Sequence, residues 1–328
     1  MDWLEKLGQR ARRGRNRETG AAPVPRVAVV TDSAAALPEG WSRSAAVTDL
    51  VRVISMPVMI GEQIYGEGTD SMIGALALAL AQGQDVRTSR PSPGQFEAVY
   101  RELADAGFSS VVSLHLSGQL SGTVDSARMA ARTAGIPVTV IDSNSVAMGL
   151  GFAVAAAAER ARDGGTPDSV AGAARAALSS TNILFYVPSL EQLRRGGRIG
   201  AAAGWFGTLF AVKPILVVRD GKVVPLERVR SAPRALARLT ELVQLEIAAR
   251  TGRIRVAVHH FGNAAEAERL AGAIAGADPE AELMICPLPA VLAAHAGLGV
   301  LAVAVVGEAA AGGSGPGSPG PAPEPPEA

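Results

Sequence analysis

The sequence predicts an α/β protein of two α/β domains, the N-terminal one with a mainly parallel sheet and the C-terminal one with a mixed sheet. Three observations lead there. From Arg26 to about residue 170, apolar runs with strand chemistry alternate with helical patterns, and parallel neighbours need the crossover connections that such alternation supplies. Further on, "KPILVVRDGKVVPLERV" (213–229) sets two apolar runs about Asp220–Gly221, a residue pair that turns a β-hairpin. A hairpin among strand–helix units makes a mixed sheet. Finally, 328 residues of which 48% are apolar suffice for about two domains at roughly 150 residues each.

Taken in order, "RVAVVTD" (26–32) is a buried strand ending at Asp32 and Ser33, and "VRVISMPVMI" (51–60) is a second apolar stretch. Helical patterns follow over 71–82 and 93–105, the latter opened by "SPGQFEAVY" with proline at an early helical position. "SSVVSLHL" and "PVTVID" are further strands, each leading into a helical run. An Ala-rich helical stretch from Val146 to about Ser180 breaks near "DGGTPDS", where Asp168 or Thr166 caps a second helix. Beyond the hairpin, strands at "RIRVAVHH", "ELMICPL" and "LGVLAVAVV" alternate with helices over about 231–250 and 264–276. The expected organisation is a disordered leader (1–25), an N-terminal domain (26–170, its boundary uncertain by about ten residues), a C-terminal domain (171–307) and a Pro/Gly/Ala-rich disordered tail (308–328).

Composition removes several function classes. The formal net charge is zero, so the long-range attraction of a nucleic-acid binder is missing. The single cysteine, Cys286, excludes a disulfide framework and a Cys-rich zinc site. No run reaches the 18 or so apolar residues a membrane span needs, and the N-terminus lacks an apolar signal region. The reading is a soluble, cytoplasmic protein without stable membrane insertion; transient contact with a membrane surface stays compatible with it.

In open α/β sheets, ligands bind beyond the carboxyl ends of strands, in loops that precede helices. Asp32/Ser33, Ser117 to Thr123, Asp142 to Ser145 and Thr88/Ser89 all occupy such places. Helix N-termini present unpaired N–H groups and partial positive charge, and hydroxyls add donors without a full charge, a combination suited to a carboxylate or a single phosphate. Ordinary helix capping uses the same residue types, so both readings stay open on these grounds alone. "GQLSG" departs by one position from a nucleophile elbow, no phosphate-binding P-loop exists, and "MGLGFAV" is only a fragment of a dinucleotide fingerprint. His259 and His260 are neighbours on a strand and point to opposite faces, which suits no shared metal. His115 lies on an apolar strand and reads as core. "LRRGGRIG" gathers Arg194, Arg195 and Arg198 about a Gly-Gly break, and His295 is the one polar side chain of an apolar region before the last strand. The residues by themselves describe an anion-binding two-domain α/β protein.

In order and spacing, "VAVVTDSAAALP", "TSRPSPGQF", "SLHLSGQLSGTVDSA", "VIDSNSVAMGLG", "LRRGGRI", "VKPIL" with its Asp-Gly hairpin, and "HAGLGVLAV" resemble the DegV family of bacterial fatty-acid-binding proteins. The resemblance spans about 27 to 306. It implies two α/β domains with a long-chain fatty acid such as palmitate or oleate between them, no other cofactor and no metal. It also implies a non-catalytic subunit that presents the acyl carboxylate to a separate ATP-binding fatty acid kinase subunit, which forms acyl phosphate. Thr88 matches the threonine of the family's T-S-x-P-S motif and Ser121 the serine of L-S-G-T; both are implied carboxylate ligands, with Ser89 and Ser117 as secondary candidates. Arg198 matches the arginine of G-G-R-I and His295 the histidine before the final strand, both implied near the carboxylate. Arg194 and Arg195 are then left for contact with the kinase subunit. Arg90 stands where Gln is frequent, Gly118 where Ser is frequent, and "HAGLG" where H-x-G-P-G is frequent. Two alternatives remain at this stage: a serine-dependent lipid hydrolase using Ser121 with His295 or His115 as base, and a lipid-sensing regulator without a kinase partner.

Overall fold

The computed structural model describes residues 26–38, 49–65, 70–200 and 213–309. The expected leader and the Ala/Gly-rich stretch 201–212 lie outside them, as do residues 310–328 of the expected tail. In chain order the elements are β1 (Val27–Asp32), β2 (Val51–Ile54), β3 (Val58–Ile60), β4 (Gln63–Tyr65), α1 (Asp70–Ala81), β5 (Val86–Thr88), α2 (Pro93–Asp105), β6 (Ser110–His115), α3 (Thr123–Ala131), β7 (Val138–Asp142) and α4 (Ala147–Arg162). Then come α5 (Pro167–Ser179), β8 (Thr181–Tyr186), α6 (Glu191–Arg195), β9 (Lys213–Arg219), β10 (Lys222–Val229), α7 (Ala232–Ala248), β11 (Arg250–His260), α8 (Ala264–Ala277), β12 (Glu282–Pro287), α9 (Ala290–Ala296) and β13 (Leu301–Ala309).

Among the described residues the strands form three sheets. The N-terminal sheet has the order β2-β1-β6-β7, parallel throughout. The C-terminal sheet has the order β10-β9-β8-β13-β11-β12 and is mixed: β11 and β12 are parallel, the other pairs antiparallel. Both agree with the expected fold class. The third sheet, β4-β3-β5, is a small antiparallel one that the sequence reading missed. "VRVISMPVMI", read as one stretch, divides between two sheets: β2 pairs with β1, and β3 pairs with β4 and β5. Pro57, which lacks an N–H for a ladder, sits at the division. β13 runs to Ala309, where Glu308 and Ala309 pair with Thr251 and Arg250, so residues 308 and 309, expected in the tail, belong to the strand.

Local chemistry accounts for the helix starts. Ser92 and Gln95 form a reciprocal capping box at α2, with Pro93 in the first turn. Thr166, not Asp168, caps α5 by accepting the Ser169 N–H. At the β9–β10 hairpin Asp220 and Gly221 take φ of 49° and 75°, the left-handed pair that a two-residue turn requires. α5 packs on α4 and the parallel sheet, so the chain passes to the second sheet at Ser180, the far end of the interval expected around residue 170.

One hydrophobic core joins the two halves through α4. Its residues from Ala147 to Ala155 are all buried, with β1 on one side and β13 and β8 on the other. Small residues make this approach possible. A Cβ on Gly149 would lie within 3.0 Å of the Ile183 side chain, and one on Gly151 2.5 Å from the Ala35 carbonyl. Packing therefore explains the Gly and Ala of α4. At the start of the helix, Val146 and Ala147 also line a pocket.

Candidate functional site

Between the two large sheets lies a pocket of about 770 Å³, a volume that includes the open space at its mouth. Met56, Leu116, Leu120 and Val146 line it from the N-terminal half, and Ile183, Phe185, Val218, Val223, Val291 and Val300 from the C-terminal half. This wall is almost wholly apolar. Among the described residues its polar side chains are four: Thr88, Ser121, Arg198 and His295.

Each of these comes from a different element. Thr88 ends β5 and is held by pairing with Val58. Ser121 lies in the turn between β6 and α3, its hydroxyl hydrogen-bonded to the Thr123 hydroxyl at 2.9 Å. Arg198 follows the Gly-Gly break after α6; its Nε donates to the Leu120 carbonyl at 3.1 Å and a second guanidinium nitrogen donates to the Gly196 carbonyl. His295 is carried by α9, and its Nε2 is 2.8 Å from Thr88 Oγ1. Gly196 has the His295 ring directly against it, where a Cβ would collide with Nδ1. Burial, assisted by the nearby Arg198 charge, pushes the His295 pKa down to about 4, so the ring is neutral at pH 7. The site therefore offers one fixed cation, two hydroxyls and a neutral imidazole at one end of an apolar cavity, an arrangement that can orient a single anionic head group.

The other two serines are elsewhere. Ser117 is buried and donates its hydroxyl hydrogen to the Gly221 carbonyl at 2.7 Å, while its oxygen accepts the Gln119 N–H at 3.2 Å. It joins the turn after β6 to the hairpin of the second sheet and does not line the pocket. Ser89 is exposed and donates to the Arg90 carbonyl. Arg194 and Arg195 are exposed on α6; Arg195 bonds Glu191 and the Gly83 carbonyl.

Most other rim residues serve the fold. The Asp32 carboxylate is fully buried and accepts from Ala34 N–H, Leu116 N–H and His115 Nδ1, each at 3.0 Å. His115 Nε2 meets Ser113 Oγ at 2.7 Å, and Ser113 meets the Tyr100 hydroxyl at 2.8 Å. This Asp–His–Ser order has the connectivity of a hydrolytic triad, but all three residues are sealed in the core. Asp142 accepts from the Gly118 and Asn144 N–H groups, which is capping chemistry. His259, neutral because burial lowers its pKa to about 4, accepts the Met148 N–H at 3.2 Å and so ties α4 to the second sheet. Among the described residues no cluster of His, Cys, Asp or Glu is placed to hold a metal ion, and no helix is long and apolar enough to cross a membrane.

Comparison with known proteins is consistent along the chain. The family model described as "Uncharacterised protein, DegV family" matches residues 26–308. The chain is 43% identical over 280 residues to a DegV domain-containing protein of Streptomyces coelicolor, covering 84% of this chain and 97% of that one. Its structure resembles a fatty-acid-binding DegV family protein from Thermus thermophilus, with a TM-score of 0.79, 31% identity, and coverage of 86% and 99% of the two chains. It also resembles DegV, a fatty acid binding protein from Bacillus subtilis, with a TM-score of 0.76, 27% identity, and coverage of 87% and 100%.

Proposed function

Because this chain belongs to the DegV family, we propose that it binds one long-chain fatty acid in the pocket between its sheets and presents the carboxylate to a separate ATP-binding kinase subunit. The observation that carries the reading is the apolar cavity with its polar groups gathered as Thr88, Ser121, Arg198 and His295. A 16-carbon tail buries about 14 methylenes at roughly 0.8 kcal/mol each, about 11 kcal/mol gross before ordering costs. The tail thus supplies affinity and the four polar residues supply orientation.

In this reading the chain is not itself a catalyst. A carboxylate oxygen of the bound lipid attacks the γ-phosphorus of ATP on the partner subunit; the new O–P bond forms as the β–γ bridging O–P bond breaks, and ADP leaves with the electron pair. Thr88 and Ser121 hold one carboxylate oxygen by hydroxyl donors, leaving the other available. Arg198 steadies charge as it develops on the acyl phosphate. His295 stays neutral, so it fixes Thr88 without adding a second full charge. Arg194 and Arg195, exposed on α6, are the proposed kinase contacts. The need for ATP places the complex in the cytoplasm.

The serine hydrolase alternative lacks its base. Ser121 bonds Thr123 and, among the described residues, no histidine; His295 bonds Thr88, and His115 bonds Asp32 and Ser113. Mass spectrometry of a denaturing extract tests the main reading: purified protein should carry about one fatty acid per chain. An extract with no acyl chain, together with no uptake of added palmitate or oleate, would sink it.

A further inference from the structure

We propose that Arg90 is a second cation at the head-group end of the pocket, positioned to hold the phosphoryl group of a bound acyl phosphate; this rests on the fatty-acid reading above. Arg90 is two residues beyond Thr88, and the strand geometry persists past β5, since the Ser89 N–H bonds the Pro57 carbonyl. From there its side chain lies directly over Gly122: a Cβ on that glycine would be 3.0 Å from the arginine Cδ and 3.2 Å from Cζ. Gly122 separates Ser121, which lines the pocket, from Thr123, its hydroxyl partner. The Arg90 guanidinium therefore lies one residue from a pocket hydroxyl.

Its donors are also uncommitted. Among the described residues the Arg90 guanidinium makes no hydrogen bond or ion pair, whereas Arg198 directs its nitrogens to the Leu120 and Gly196 carbonyls. The acids next to this segment in the sequence and at the adjoining strand end have other partners: Asp125 pairs with Arg128, and Asp142 accepts the Gly118 and Asn144 N–H groups. Arg198 thus meets the segment Leu120 to Gly122 at the Leu120 carbonyl and Arg90 lies over it at Gly122, and among the described residues neither guanidinium is paired with a carboxylate. One cation balances a carboxylate. A phosphate monoester near neutral pH carries about −1.5 to −2 charges and three acceptor oxygens, and a free planar guanidinium is suited to such a group. Arg90 would then favour the product over the substrate and retain acyl phosphate until it is handed on.

The test compares palmitate with hexadecylphosphonate, a dianionic lipid of similar length, on the delipidated full chain. Wild type should bind both. Arg90→Gln should weaken phosphonate about tenfold, equivalent to about 1.4 kcal/mol, while palmitate weakens much less. Arg90→Lys should fall between them, and the difference should shrink at high salt because the group is exposed. Since Arg90 is exposed and unpaired among the described residues, both variants should fold as wild type does. An unchanged phosphonate-to-palmitate ratio in Arg90→Gln overturns the assignment, as does wild type that binds palmitate and refuses phosphonate. Wild type that binds neither overturns the fatty-acid reading, and this inference with it.

Discussion

Two serines four residues apart, Ser117 and Ser121, should respond in opposite ways to the same substitution. In Ser117→Ala the Gly221 carbonyl loses a buried donor across the junction of the two sheets, and the Gln119 N–H loses its acceptor. The buried Gly221 carbonyl left unpaired costs about 1–3 kcal/mol and the lost bond to the more exposed Gln119 N–H about 1 kcal/mol, so a loss of about 2–4 kcal/mol in unfolding free energy is expected. Palmitate affinity should stay within a factor of about two, because Ser117 does not line the pocket and 1.4 kcal/mol would be needed for tenfold. Ser121→Ala removes a hydroxyl whose partner, Thr123, keeps other options, so stability should change by less than about 1 kcal/mol. Urea unfolding followed by circular dichroism gives the stabilities, and titration of delipidated protein gives the affinities. A Ser117→Ala protein as stable as wild type but about tenfold weaker for palmitate would refute the assignment of Ser117 as a junction residue.

Thr88→Val and Ser121→Ala should each lower acyl-phosphate formation with a cognate kinase subunit by roughly ten- to a hundredfold, from about 1.5–3 kcal/mol per donor to a charged acceptor, and lower palmitate affinity less; wild-type turnover in both variants would refute the head-group assignment. Acid should destabilise the protein: His259 and His295 have folded pKa values of about 4 against an ordinary 6.5, so between those values the unfolded chain binds protons that the folded chain does not. Stability then falls as pH drops from 6.5 towards 4, by roughly 3 kcal/mol per histidine at most, and His259→Gln or His295→Gln should each flatten the urea-midpoint profile; a wild-type midpoint constant across that window contradicts this. Charge reversal in Arg194→Glu/Arg195→Glu should weaken capture of the kinase subunit in a pull-down while palmitate binding is kept, and full capture at physiological salt would remove those residues from the interface.

What was legible in the sequence was mostly local. The capping box at Ser92 and Gln95, the Thr166 cap, the Asp220–Gly221 turn and the alternation behind the parallel sheet are each set by residues within a few positions of one another. The pocket residues are different. Thr88 and His295 are 207 residues apart; their local settings singled each of them out, and only the resemblance to family motifs joined them in one site. Rim residues with the right chemistry, Asp32 and Asp142, prove to satisfy backbone N–H groups. Nothing in a one-dimensional pattern states which element will face such a side chain. The same reason hid the Ser117–Gly221 bond and the division of "VRVISMPVMI" between two sheets, both of which depend on where a distant strand lands.

Helix α4, clamped by both large sheets, has a bearing on how cargo enters and leaves. A clamshell would have to pull apart the Gly149–Ile183 contact and the His259–Met148 bond, exposing the same side chains that hold the molecule together. Opening along that seam approaches global unfolding in cost, so exchange is confined to smaller local excursions at the pocket's edge. If the pocket holds the fatty acid proposed above, its exchange should be slow. If a kinase subunit takes its substrate from this pocket, as proposed above, it has to provoke the local opening itself, which would make delivery an event triggered by docking.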